Sequence, residues 1–192
     1  MKDLTNLIVE AGAMASKGRR DVMKAGFAAG VAGVLALTGE NLISPSVALA
    51  DDIATANVAL GLEHQAIAAY KLGAGTGLLS GKPLELAGLF LSQHEAHRDA
   101  LIGVIKKAGK TPVAAKANYN FDTSGIKEAN DILAFALKLE EGAASAYLGV
   151  LKGFKNKELL PVLAGIAADE AQHCAILRFA LGQNPCPDAI VK

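Results

Sequence analysis

Tryptophan is absent, aromatic residues make up only 5% of the chain, and nineteen Lys and Arg residues are matched by nineteen Asp and Glu. Without a basic excess, and with few rings to stack on bases, the chain lacks the electrostatic footprint of a nucleic-acid binder, so no nucleic-acid partner is expected. Cysteine is nearly missing too: Cys174 and Cys186 are the only two, too few for a disulfide scaffold. β-Branched residues nowhere alternate with polar ones long enough to suggest a sheet. What is abundant is small and aliphatic: 52% of 192 residues are hydrophobic, enough to bury one core without staples.

The first fifty residues read as an address. Arg19, Arg20 and Lys24 form a basic cluster, an uncharged run extends from Ala25 to Gly39, and Ala48 and Ala50 supply the small-x-small pattern of a signal-peptidase site. The run is shorter than the about 20 residues of a bilayer span. The paired arginines, followed by Val22, Met23 and Lys24, resemble the twin-arginine class of export signal, with Gly18 and Val22 departing from its preferred residues. That resemblance implies residues 1–50 as signal and 51–192 as the mature domain. It also implies the twin-arginine export machinery and signal peptidase as partners, and a periplasmic or extracellular destination for a protein that folds before export. Asp51 onward contains no second charge-free run of membrane length, so stable membrane insertion of the mature protein is not expected.

Four segments of the mature part carry a helical period: about Asp51 to Gly75, Pro83 to Ala108, Ile126 to Gly153, and Lys157 to Leu181. In the first, Ala56, Leu60, Glu63, Ile67, Tyr70 and Ala74 fall on one stripe. Helices of this length make an all-α four-helix bundle. The links "TGLLSGK" and "FKNK" are short and pair their helices as antiparallel hairpins, whereas "GKTPVAAKANYNFDTSG" is long enough to travel the length of the bundle. The predicted architecture is therefore two hairpins joined by one long crossover.

The hairpins are internally similar. "LGLEHQAIAAYKLG" lies over "LKLEEGAASAYLGV", matching Glu63 with Glu140 and Tyr70 with Tyr147 at an offset of 77 residues. "HEAHRDALI" lies over "DEAQHCAIL", matching Glu95 with Glu170 and Arg98 with His173 at an offset of 75. A duplicated hairpin predicts an approximate twofold axis through the core, with one carboxylate from each helix, Glu63, Glu95, Glu140 and Glu170, meeting in one layer.

Glu170 and His173 are three residues apart and share a face that continues through Leu163, Ile166 and Leu177. A buried carboxylate beside a buried imidazole needs a partner, a proton or a metal. Four carboxylates with imidazoles suit iron or manganese, with the acids cancelling the four positive charges of a divalent pair. The metal-free alternative is a polar network in which Arg98 and the histidines neutralise the glutamates. All four histidines, His64, His94, His97 and His173, lie within three residues of a glutamate, which favours a common purpose.

The order Glu63, Glu95 with a polar residue three later, Glu140, then Glu170-x-x-His173 is similar to the ferritin-like superfamily of carboxylate-bridged dimetal proteins. "DILAFALKLEEGAASAYL" further resembles its exported, desiccation-associated branch, whose members often carry a twin-arginine signal. The resemblance spans Asp51 to about Gly182. It implies a ferritin-like bundle, an iron or manganese site, dinuclear when complete, with Glu63 and Glu140 as terminal ligands and Glu95 and Glu170 as bridges. A histidine three residues after each bridge should complete each half-site.

At position 98 the chain departs from that pattern, because Arg98 cannot deprotonate to become a ligand. Three readings stay open: His94 or His97 replaces it, Arg98 pairs with a carboxylate and leaves a lopsided site, or the site is dead. His64, Tyr70, Arg98 and Tyr147 are expected around the ligands rather than among them. Cys174 and Cys186 could form a clamp holding the tail. The function implied is metal binding, extending to oxidation of metal or reduction of oxygen or peroxide. The alternative is a non-catalytic, stress-protective bundle with a degenerate site. Whether copies assemble into a homo-oligomer is open.

Overall fold

The structure, a computed structural model, describes residues 52–151, 154 and 159–187. The expected export signal and most of the last inter-helix link lie outside the described residues. Four helices follow in order: α1 (Asp52–Gly75), α2 (Lys82–Lys107), α3 (Ala129–Leu151) and α4 (Leu159–Ala180). Each is 22 to 26 residues long, hence about 33 to 39 Å at 1.5 Å per residue. No strand occurs among the described residues, and none of their helices is long and apolar enough to cross a membrane.

The local chemistry explains the boundaries. Pro83 sits in the first turn of α2, where its missing N–H costs nothing. The helices that end each hairpin, α2 and α4, both stop at a left-handed glycine, Gly109 and Gly182, each with φ 71°. The backbone N–H after each glycine returns to the preceding turn, Lys110 to Ile105 and Gln183 to Arg178. α3 starts three residues later than its periodicity suggests. The Asp131 carboxylate accepts the N–H groups of Lys127 and Glu128 at 2.9 and 3.0 Å, so those donors are satisfied without helical partners.

α1 packs chiefly on α2 and α3 on α4, with lesser α1–α3 and α2–α4 contacts. The crossover from α2 to α3 therefore joins elements on a diagonal. It begins beside the start of α1, where Asn57 holds Thr111 and Val113, and Val113 also accepts the His64 Nε2–H at 3.1 Å. It ends at the opposite end of the bundle, where Phe121 meets Phe135 edge-on and Ile126 packs against the core cluster that contains Leu79. The interior consists of two apolar slabs. One contains Phe90, Leu133, Leu137 and Leu177, the other Leu60, Leu101, Ile105 and Leu163. A layer of buried ionisable side chains is interposed between them.

Truncating a slab residue should be costly and truncating a surface one cheap. Leu101→Ala, at a fully buried position, is expected to lose about 2 to 5 kcal/mol in urea unfolding. Leu89→Ala, at a position 52% exposed, should change stability by less than about 0.5 kcal/mol.

Candidate metal centre

The polar layer is built reciprocally by the two hairpins. Tyr70 of α1 donates to Glu140 of α3, and Tyr147 of α3 donates to Glu63 of α1. Both pairs are buried, and the exchange reproduces the 77-residue repeat in space. α2 contributes His94 and His97, α4 contributes Glu170 and His173. His94 is wholly buried at the centre, its Nδ1 2.9 Å from Glu63 Oε2 and its Nε2 3.2 Å from Glu140 Oε1. Its ring therefore faces both sides of the layer.

Glu170 faces both sides as well. Its Oε1 lies 3.3 Å from His97 Nδ1 and its Oε2 lies 3.4 Å from His173 Nδ1. None of these four atoms is aligned for hydrogen bonding. Among the described residues five buried side-chain polar atoms lack a hydrogen-bond partner, and these are four of them. The far nitrogens of both imidazoles are tied down: His97 Nε2 to Asp169 Oδ2 and His173 Nε2 to Gln93 Oε1, each at 3.1 Å. Phe90 stacks on His173 with ring centroids 3.9 Å apart.

Two groups of four residues bring potential ligand atoms within 4.8 Å of one another. One is Glu63, His94, His97 and Glu170; the other is His94, Glu140, Glu170 and His173. His94 and Glu170 belong to both, while each group has its own terminal glutamate and histidine.

Burial opposes the positive charge on every imidazole here, but the surrounding carboxylates outweigh it. His94 is held up at about 11 by Glu140 and Glu63, His97 at about 10 by Glu170 and Glu63, and His173 at about 9 by Glu140 and Glu170. Burial likewise pushes the carboxyls up. At Glu63 the contacts with His94 and His97 overcome it and leave the pKa lowered. At Glu140 a carboxyl-to-carboxyl contact with Glu170 and the bonds to His173 and His94 overcome it by more. Glu170, buried and beside the charge of Glu140, rises to about 7. Burial and the adjoining carboxylates hold both Tyr70 and Tyr147 well above the ordinary phenol range.

Four expectations need correction. Glu95 is outside the layer: it projects sideways to Lys71 at 3.3 Å with 38% of its side chain exposed. Arg98 does not surround the site either, and its guanidinium forks onto its neighbour Asp99 at 2.8 and 3.1 Å. The error is one residue of register. His94 and His97 match Glu170 and His173 at an offset of 76, not 75, so the shared "EA" letters in the two segments pair positions on different faces. The cysteines are free thiols, Cys174 buried and Cys186 exposed, and no clamp joins them. Burial, then the nearby Glu140, pushes the Cys174 thiol up to about 12, which makes it inert. His64 is turned away to the crossover. Gln93 and Asp169 were missed as partners of His173 and His97; each directly precedes one member of the His94/Glu170 pair, which is the signal that could have found them.

Comparison with known families bears on this arrangement directly. The profile described as ferritin-like domain matches residues 51–183. The chain belongs to the ferritin-like domain family. Among solved structures this ferritin-like chain is similar to a conserved hypothetical protein, rv2844, from Mycobacterium tuberculosis. The two share 23% identity and a TM-score of 0.63 over 72% of this chain and 100% of that one. At that identity the likeness concerns the fold. No curated protein matches the chain.

The charge pattern has a consequence for the metal-free ferritin-like protein. His173, His97 and His94 have folded-state pKa values raised to about 9, 10 and 11, above the ordinary 6.5 of an unfolded chain. Their stabilisation is therefore complete below about pH 6.5, falls progressively as pH climbs above it, and is gone once pH has passed through the folded values of about 9 to 11. Chelator-treated protein should show a falling melting temperature over that window, and the fall should shrink in His97→Asn and His173→Asn.

Proposed function

We propose that the bundle binds two iron or manganese ions in its central layer. Glu63 and His97 would hold one ion and Glu140 and His173 the other, with His94 and Glu170 within reach of both. The observation that carries this reading is the set of buried atoms without hydrogen bonds. Both Glu170 oxygens and the Nδ1 atoms of His97 and His173 converge without satisfying one another, although each nitrogen's ring is locked from behind. An unpaired buried polar atom costs about 1 to 3 kcal/mol, so four in one place call for a shared partner. Nitrogen and carboxylate donors together suit these metals, and an orienting group on the far side of each imidazole is the usual companion of ligation.

The bound pair would supply electrons to dioxygen or peroxide or act on ferrous iron, which is the oxidoreductive role the donor set supports. The residues themselves do the preparatory work. Tyr70 and Tyr147 hold Glu140 and Glu63 in place by donating to one carboxylate oxygen of each. Phe90 closes the layer against one apolar slab and keeps water off His173. Without metal, protons on the imidazoles offset the charge of Glu63 and Glu140; ligation requires the coordinating nitrogens to give those protons up, so metal uptake is coupled to proton release.

Protein produced in metal-supplemented cells should carry close to two equivalents of iron or manganese by elemental analysis. Glu170→Ala with His173→Ala should abolish them, while Glu95→Gln should leave them unchanged. Metal-free protein whose melting temperature does not respond to added Mn(II) or Fe(II) would instead support a non-catalytic bundle held by its His–Glu network, the stress-protective reading.

We also propose that residues 1–50 send this domain out of the cell by the twin-arginine route, which would let the folded core take up metal before export. The sequence of the basic cluster supports it. Replacing Arg19 and Arg20 by lysine should retain the protein in the cytoplasm, as read by fractionation; unchanged export would reject the route.

A further inference from the structure

The two halves of the layer have the same terminal ligands, a glutamate steadied by a tyrosine and a histidine bonded through Nε2. They differ in what holds the histidine. Asp169 bonds His97, whereas Gln93 bonds His173, each at 3.1 Å. Asp169 and Gln93 occupy equivalent places in the duplicated hairpins, directly before Glu170 and His94, so the approximate twofold axis that equates the ligands fails at this pair. The Asp169 carboxylate also comes within 3.7 Å of His173 Nε2, but without a hydrogen bond.

Charge points the same way. Two divalent ions bring four positive charges, and Glu63, Glu140 and Glu170 return three. Glu95, on the outer face, cannot supply the fourth. Asp169 is the remaining carboxylate in contact with a ligand, and it is committed to the His97 side. A carboxylate behind an imidazole raises its donor strength more than a neutral amide does, and such partners change metal affinity by about 10- to 100-fold. The His97 side is also the more open of the two at the imidazole itself: the side chain of His97 is 13% exposed and that of His173 1%, whereas Asp169 and Gln93 behind them are both partly exposed.

We propose that Asp169 and Gln93 make the two metal positions unequal, so that the half formed by Glu63, His97 and the shared residues binds first and more tightly. Asp169 acts as a positioning residue through His97 and touches no ion itself. This rests on the dimetal reading above and adds an order of filling to it.

Titration of metal-free protein with Mn(II), followed by calorimetry and by loss of the free-ion electron paramagnetic resonance signal, reads that order. Two resolved steps differing by at least 10-fold are expected. Asp169→Asn should weaken the first step by about 10- to 100-fold and shift the second by less than about 3-fold, bringing the two together. Gln93→Glu should tighten the second step. His173→Ala should keep one ion at the tight constant and His97→Ala one ion at the weak constant. Melting temperatures of the metal-free variants serve to identify any that fail to fold, and Asp169→Asn, isosteric and partly exposed, is the variant on which the test turns. Two equal constants in the parent protein, or equal weakening of both steps in folded Asp169→Asn, would overturn the inequality while leaving the dimetal site standing. Protein that binds no Mn(II) would overturn both.

Discussion

Five buried carboxylates and imidazoles, with His97 as a partly exposed sixth, lie between two apolar slabs and are the constraint around which this bundle is organised. Removing a carboxylate or an imidazolium from water costs several kcal/mol per group, and only close opposite charge or a metal offsets it. Every neighbouring feature serves that balance. His94 spans Glu63 and Glu140, each tyrosine completes a glutamate contributed by another helix, and the ring of Phe90 covers His173. Four helices must be held in register for those atoms to meet, so the layer acts as a specificity device for the bundle as well as a site.

The crossover is part of the same arrangement. Because α2 and α3 lie on a diagonal, the chain must run along α1, and it is fastened there by Asn57 and His64 rather than by apolar packing alone. His64 is thereby diverted from the polar layer although it adjoins Glu63 in sequence. Two successive residues on a helix point about 100° apart, and that angle separates a buried member of the polar layer from a brace on the crossover.

Much of this was legible from residue order. Helical periodicity and link lengths were enough for four helices, two hairpins and a long crossover, and the Glu63/Glu140 and Tyr70/Tyr147 repeat marked both glutamates and both tyrosines of the layer. Glu170-x-x-His173 was legible because a helix places residues three apart on one face. The α2 contribution was read in part: His94 and His97 were among the candidates, but Glu95 was misplaced. Letter identity matched Glu95 to Glu170, but burial matched His94 to it, and the carboxylate at 95 went to Lys71 at the surface. A one-residue slip turns a helix by about 100°, so identity in a short polar segment is weaker guidance than the apolar face beside it, here Phe90, Leu101 and Ile105.

Residue order set the helices, their connection, and the residue types available for the core, because these depend on local spacing and on the chain's own periodicity. Tertiary structure alone decided which faces meet. Only there do the Nδ1 atoms of His97 and His173 converge on opposite oxygens of Glu170, does Asp169 engage one histidine and Gln93 the other, and do the two cysteines remain apart. The physical reason is that hydrogen bonding and ligation act over about 3 Å, whereas sequence periodicity locates a side chain only to a face.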